Sequence, residues 1–335
     1  VTEANAKTRN TMLTGSSSFT GLWFTRALAD AGCGVVATMT RSDPKAYDDP
    51  LRALRVREVE RRARVEWSCT FGDERFIELI GSGAFDVLCH HGADVTDYKS
   101  EDFDYTRALA NNTRSARRVL EAFKDAGGQA VVLTGSVFEG GEGAGSDGLP
   151  HFSPYGLSKA LTREVFEYEC RRAGLALGRF VIPNPFGPLE EPRFTAYLVR
   201  TWASGQMPCV RTPAYVRDNI HVSVLAREYA RFVERVHGYR AGDPLVFSPS
   251  GYVESQGRFA ERFAAELGPR LGIPTPLDFA EQTEFAEPRV RIGLDPAAMD
   301  AQEESSAWDA LADDYRVRLL EQREPGAAER GSTAG

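Results

Sequence analysis

Tyr155 and Lys159 stand four residues apart in SPYGLSK, downstream of Thr134 and Ser136 in LTGS, in a chain that opens with TGSSSFTG. These residue types suit hydride chemistry at an alcohol or ketone, with the phenol exchanging the hydroxyl proton. Ser153 is placed to cap a helix whose first position is Pro154, so the four-residue spacing sets the phenol and the ammonium on one helical face. An unperturbed tyrosine has a pKa of about 10, and use as a base near neutrality requires lowering it by about three, or ~4 kcal/mol. A lysine ammonium ~4 Å away at an effective dielectric of ~20 supplies about 4 kcal/mol, and a nicotinamide cation adds to it. The Tyr-x-x-x-Lys spacing also arises by chance on amphipathic helices. Its position after a glycine-rich first turn is what gives it weight.

That turn follows a short strand, Thr11 to Leu13, and leads into a helix near Gly21. Gly15 permits the tight turn, Gly21 allows close helix and strand packing, and the amides of the helix N-terminus are left for a pyrophosphate. The candidate cradle is Gly15, Ser17, Ser18, Phe19, Thr20 and Gly21. Ser18 holds the middle position where glycine is expected; its side chain is small, at some cost in affinity. Cofactor choice is read at the end of the second strand, where an acid bonds the adenosine ribose and a base accepts a 2′-phosphate. The text there is ATMTRSD. Thr40 and Arg41 in place of an acid tilt the choice to NADP over NAD, with Asp43 as an alternative ribose ligand and a solvated Arg41 as the plainer alternative.

These residues need a scaffold, and the alternation of strand and helix patterns supplies one: an α/β fold with a doubly wound parallel Rossmann sheet and a smaller C-terminal substrate-binding region. Strands are expected at Thr11 to Leu13, Val35 to Met39, Arg64 to Trp67, Asp86 to His90, Ala130 to Leu133 and Ala176 to Ile182. Helices are expected near 21–31, 51–63, 74–81, 102–125 and 155–172, then near 194–204, 223–236 and 256–268 among Pro- and Gly-rich loops. This divides the chain into a nucleotide domain, 10–183, a mixed substrate region, 184–320, with interleaved boundaries, and a disordered tail, 321–335. The first nine residues read as a disordered end as well.

A chain of 335 residues can bury a sizeable core. Forty basic against 48 acidic residues give no support to nucleic-acid binding, and a small anionic substrate needs only local positive groups. Cys33, Cys69, Cys89, Cys170 and Cys209 are an odd number without metal-ligand spacing, which reads as reduced thiols in a cytoplasmic protein. No signal peptide or apolar stretch of membrane-spanning length is present in the sequence, and no metal site is expected.

With TGSSSFTG, HHGAD, NNT, LTGS, YGLSK, NPFGP and RDNIHV in this order, the chain resembles the extended short-chain dehydrogenase/reductase family, whose best-known members are NDP-sugar epimerases and dehydratases. The resemblance runs from about Thr11 to about Tyr315. It implies that Asp73 contacts adenine, although Asp73 is equally placed to cap a helix, and that His90, Gly92, Ala93 and Pro183 lie along the cofactor. His91 reads as a loop or packing residue. Asn112 matches an asparagine that organises the active site. Lys159 is implied to lower the pKa of Tyr155 and to hold the nicotinamide ribose.

The third catalytic hydroxyl has two readings. Aligned from the strand, Ser136 takes the usual position and is preferred; aligned back from Val137 and Phe138, Thr134 takes it. On the second alignment the Asp-Glu pair of the sugar dehydratases is replaced by Gly135 and Ser136, with Glu139 nearby as a possible substitute. The expectation therefore turns from dehydration toward epimerisation, with a ketoreductase as the alternative, a dehydratase as the second and a non-catalytic dinucleotide sensor as the third.

On the substrate side, the resemblance implies that Asn184 of NPFGP contacts the substrate and that Arg217 of VRDNIHV bonds the diphosphate of a nucleotide sugar, a task suited to a planar guanidinium. Arg289 is a second candidate, with Arg291 beside it. A homodimer is expected through the helices near 102–125 and 155–172, which pair across a two-fold axis in this family. Leu157, Leu161 and Val165 form one apolar stripe there, which is equally suited to facing the protein's own sheet.

Overall fold

The computed structural model describes residues 9–146 and 149–321. Short, mostly apolar runs become strands, buried on both faces at the centre of the sheet, as parallel sheets require, and partly exposed at its two edges. They are β1 (Asn10–Leu13), β2 (Gly34–Thr38), β3 (Arg64–Glu66), β4 (Val87–His90) and β5 (Ala130–Ser136), followed by Ala176–Ile182 and Leu245–Phe247. The sheet runs Leu245–Phe247, Ala176–Ile182, β5, β4, β1, β2, β3, and every pairing is parallel. The order reverses between β1 and β4, so the crevice at their carboxyl ends is the ligand-binding position of such sheets.

Helices cover both faces. On one lie α1 (Phe19–Asp30) and a long helix at Val222–His237, joined by Phe24 stacked on Tyr229 with centroids 3.9 Å apart. Between these two helices and strand Ala176–Ile182, Leu28, Phe180 and Phe232 complete the core. α2 (Pro50–Glu60) packs beside α1, started by Asp49, whose carboxylate accepts from the Leu51 amide. The other face carries α3 (Glu74–Ser82), α4 (Tyr105–Asn112), α5 (Ala116–Asp125) and α6 (Pro154–Ala173) over Phe76, Phe123 and Phe166.

The expected single helix over 102–125 is two. Ser115 adopts the left-handed region at φ 49°, and the Arg114 carbonyl is drawn against Gly72, where a Cβ would collide with it. Tertiary contact thus overrides local helix propensity at this point.

Beyond Pro183, α7 (Phe194–Ala203) leads into a second sheet in which Val216–His221 pairs with Asn184–Phe186, Tyr252–Ser255 and Val290–Ile292. The Val222–His237 helix, α8, and strand Leu245–Phe247 then return to the central sheet. α9 (Gln256–Leu271) and α10 (Ala301–Glu321) close the smaller region around Trp202, Phe259, Phe263 and Trp308. The seventh strand and α10 went unassigned from sequence, although α10 buries Ala307, Trp308, Leu311, Ala312 and Tyr315 at helical spacing. The sequence's two expected disordered ends lie largely outside the described residues.

Candidate active site

The carboxyl ends of β1, β4, β5 and Ala176–Ile182 open into a cavity of about 510 Å³ shared with the smaller region. Its lining brings together Gly15, Ser18, Phe19 and Thr20, Gly92 and Ala93, Thr134 and Ser136, Tyr155 and Lys159, Pro183 and Asn184, and Arg217. Residues separated by some two hundred positions therefore meet in one cleft.

The first turn is built for close approach. Gly15 sits at φ +76°, and a Cβ there would come within 2.7 Å of the Gly92 amide; a Cβ on Gly21 would collide with the Gly15 carbonyl. Ser18 does not project into the space that glycine would leave. Its hydroxyl donates to Gly15 O at 2.8 Å and accepts from Gly21 N at 3.1 Å, so the side chain is folded into the turn as the cap of α1. This arrangement fits a dinucleotide: the turn stays open where a diphosphate backbone must pass. Ser17 is buried and covered by Arg52, whose guanidinium donates to its hydroxyl at 3.0 and 3.2 Å; Gly21 is buried beneath the turn. Arg52, one helix away in sequence and lining the cavity, was missed because an exposed arginine on α2 carries no motif.

His90 and His91 have exchanged their expected parts. His90 is 2% exposed and faces away from the cavity, between Phe71 and Phe166. Its Nε2 donates to the Asn112 carbonyl at 3.0 Å, its Nδ1 receives the Thr14 hydroxyl at 3.1 Å, and that hydroxyl accepts from Gly92 N at 2.8 Å. The chain of bonds requires a neutral ring, and burial with the charge of Lys159 pushes the His90 pKa down to about 3. Asn112 is likewise behind the wall, its Oδ1 accepting from Asp94 N at 2.8 Å and its amide donating to Thr162. Both residues pin β1, β4 and α4 together rather than touch the cleft. His91 instead lines it, with Nε2 3.1 Å from the Ser18 hydroxyl and 3.0 Å from that of Thr20.

Three other expected contacts are not brought to the cavity. Asp73 caps α3, accepting from Phe76 N at 2.7 Å and Thr70 N at 2.9 Å. Arg41 is exposed outside the lining, and Asp43 is turned to Lys45 N at 2.7 Å as the cap of a short 3₁₀ turn. Arg289 is exposed, stacked 4.0 Å over Phe285, while its neighbour Arg291 is buried and donates to the carbonyls of Val137 and Pro150.

At the centre, Ser153 accepts from Gly156 N at 3.1 Å and Pro154 opens α6, placing Tyr155 and Lys159 on its first turns. The expected electrostatics differ. Lys159 donates to the Thr134 carbonyl at 2.6 Å. Burial raises the Tyr155 pKa, and the nearby Glu139 carboxylate raises it further, while Arg193 opposes the shift. Burial lowers the Lys159 pKa, and Glu139 resists. Glu139 is 2% exposed and accepts from Ser136 N at 2.8 Å, directly behind Gly135, where its own pKa is raised by burial. Of the two candidate hydroxyls, Ser136 accepts from Phe138 N at 3.2 Å, leaving its proton to donate, and Thr134 Oγ1 lies toward the Tyr229 phenol without a hydrogen bond within 3.5 Å.

On the far wall, Arg217 is stacked 4.3 Å over Tyr215 and paired with Glu287 at 2.9 Å. Nη1 of Arg217 also donates to the carbonyls of Val216, Pro288 and Arg289, so the guanidinium is held at a fixed place on the second sheet.

No curated protein matches the chain in sequence. Solved structures match in fold. UDP-glucuronic acid 4-epimerase from Bacillus cereus, in complex with UDP-glucuronic acid and NAD, is 16% identical, with 92% of this chain and 99% of that chain covered and a TM-score of 0.70. UDP-N-acetylglucosamine 4-epimerase from Methanobrevibacter ruminantium is 15% identical over 93% and 99%, with a TM-score of 0.70. The dTDP-glucose 4,6-dehydratase from Streptomyces venezuelae is 18% identical over 94% and 99%, with a TM-score of 0.67. The sequence profile of one family spans residues 11–245, from β1 through the first residue of the seventh strand, and includes the glycine turn, Tyr155, Lys159 and Arg217. The chain belongs to the NAD dependent epimerase/dehydratase family.

Proposed function

We propose that this protein is an NAD(P)-dependent epimerase of a nucleotide-activated sugar, acting through a transient keto intermediate. The observation that supports it most is the single cavity that joins the glycine turn, the Tyr155–Lys159 pair, Asn184 and Arg217. In this reading Tyr155 takes the proton of the reacting hydroxyl and returns it after the keto sugar has presented its other face. The bound nicotinamide supplies the hydride acceptor and donor. Lys159, anchored on β5, holds the ribose and keeps positive charge beside the phenol, and one of Ser136 and Thr134 bonds the reacting oxygen. Arg217 fixes the diphosphate, as suits a guanidinium. The solved relatives named for UDP-glucuronic acid and UDP-N-acetylglucosamine agree with this substrate class.

Positions 135 and 136 carry no acid, and Glu139 is engaged behind the strand, which sets the dehydratase reading behind the epimerase. NADP is favoured narrowly over NAD on Arg52 at the turn, Arg41 lying outside the cavity; NAD is the cofactor in the Bacillus cereus structure. A homodimer through α4, α5 and α6 is proposed on the half-buried Leu157 and Leu161, the third residue of that stripe, Val165, packing against the protein's own core, in a cytoplasmic protein whose five cysteines are free thiols. Among the described residues no helix is long and apolar enough to cross a membrane.

The test is to purify the protein without added nucleotide, denature it and identify the released cofactor by mass spectrometry, then incubate it with UDP- and dTDP-sugars. Near-stoichiometric oxidised cofactor and epimer formation without added reductant are expected. An empty protein that consumes NADPH with a carbonyl substrate overturns the epimerase in favour of a reductase.

A further inference from the structure

The reacting end of the cavity carries positive charge that a neutral sugar does not require. Tyr98 packs edge-on against Tyr155, with ring centroids 5.3 Å apart, and so marks that end. The Arg193 guanidinium lies 5.8 Å over the Tyr98 ring, and Lys99 Nζ lies 5.8 Å from the same ring. Both cations line the cavity. Arg193 also acts on the Tyr155 phenol, opposing the upward push of burial and Glu139.

The neighbouring acid does not cancel these charges. Glu191 pairs with Arg193 at 2.8 Å, but it also faces the buried Arg55 at 3.6 Å, so one carboxylate is divided between two guanidiniums. Lys99 has no ion pair among the described residues. Arg193 immediately precedes α7 and makes no capping bond, and Phe194 and Thr195 of the first turn line the cavity as well. The positive end of that helix therefore adds to the potential of the side chain. The diphosphate is already provided for by Arg217, which leaves Arg193 and Lys99 without a task in a neutral substrate.

We propose that Arg193, assisted by Lys99, anchors a carboxylate on the sugar itself, so that the substrate is a nucleotide-activated acidic sugar of the uronic-acid type. A planar guanidinium meets a carboxylate through two parallel N–H···O bonds, which would hold one ring face toward Tyr155. Glu191 keeps Arg55 as its partner when the substrate carboxylate takes Arg193. The assignment rests on the nucleotide-sugar reading above and narrows it.

The experiment is calorimetry on the cofactor-loaded full chain. UDP and dTDP are titrated first, and the glucuronate and glucose conjugates of the nucleotide that binds are then compared. The glucuronate is expected to bind at least about tenfold more tightly, the worth of one charge-assisted contact. Arg193→Gln should bring that ratio close to one and Lys99→Gln should reduce it, while Arg193→Lys should retain part of it; melting curves confirm folding. Equal affinities in the native protein, or a preference that survives Arg193→Gln, overturn the acidic-sugar subsite while leaving the nucleotide-sugar function standing. Failure of both nucleoside diphosphates to bind overturns that function and the subsite together.

Discussion

The Lys159 ammonium donates to the Thr134 carbonyl oxygen at 2.6 Å, so the lysine of the catalytic pair is tethered to β5 and shares its surroundings with Glu139. Glu139 raises the pKa of Tyr155 and also supports the charge on Lys159. Burial is the larger cause of the raised Tyr155 pKa, and Glu139→Gln removes the charge that adds to it. The rising limb of the kcat–pH profile is expected to move to lower pH; a profile that superimposes on that of the native enzyme removes Glu139 from the proton balance of the site.

Tyr155→Phe deletes the proton-exchanging oxygen and leaves the ring against Tyr98 and Phe103. Turnover should fall by about 10² to 10⁴, with dinucleotide affinity, measured by fluorescence quenching, nearly intact. Undiminished turnover rules out the catalytic assignment.

Arg217 has Glu287 as its competing anion at 2.9 Å. Removing the arginine should weaken nucleoside diphosphate binding by about tenfold or more. Glu287→Gln should do the opposite and lower KM, because the guanidinium no longer has to exchange one carboxylate for the substrate. A higher KM in that variant argues that Glu287 serves to position Arg217.

Three histidines tie stability to acid. Burial holds His90 and His91 down to about 3 and His221 to about 4, all below their unfolded value of about 6.5. Each folded pKa is depressed, so the unfolded chain binds the extra protons, and stability is full above pH 6.5 and declines as the pH falls toward 4 and 3. Urea unfolding at pH 7 and pH 5.5 should differ by about 2 to 4 kcal/mol. An unchanged midpoint would mean that these rings accept protons in the folded state.

The sheet was legible because its strands are apolar runs punctuated by turn residues, and six of the seven were placed within one or two residues except where β5 extends to Ser136. The cleft residues carried by the turn, the helix start and NPFGP were legible for the same reason: their spacing is fixed by local backbone geometry. What failed were residues whose role depends on which way a side chain points. At the end of β4, one step in sequence turns a ring from cleft to core, so His90 and His91 could not be sorted by motif. Asp73 and Asp43 serve as caps because an unpaired helix amide is the nearer donor. Arg52 and Arg193 reach the cavity through tertiary packing alone.

Strand Leu245–Phe247 and α8 belong to the central sheet although they follow the first part of the smaller region in sequence. A fragment ending at Pro183 would leave Phe24 and Phe180 without Tyr229 and Phe232, stripping α8 from a face of the sheet that α1 alone does not cover. Exchange of substrate regions between relatives therefore demands two splices, one on either side of residues 222–247. A single crossover after NPFGP would import a foreign helix into the nucleotide-binding core.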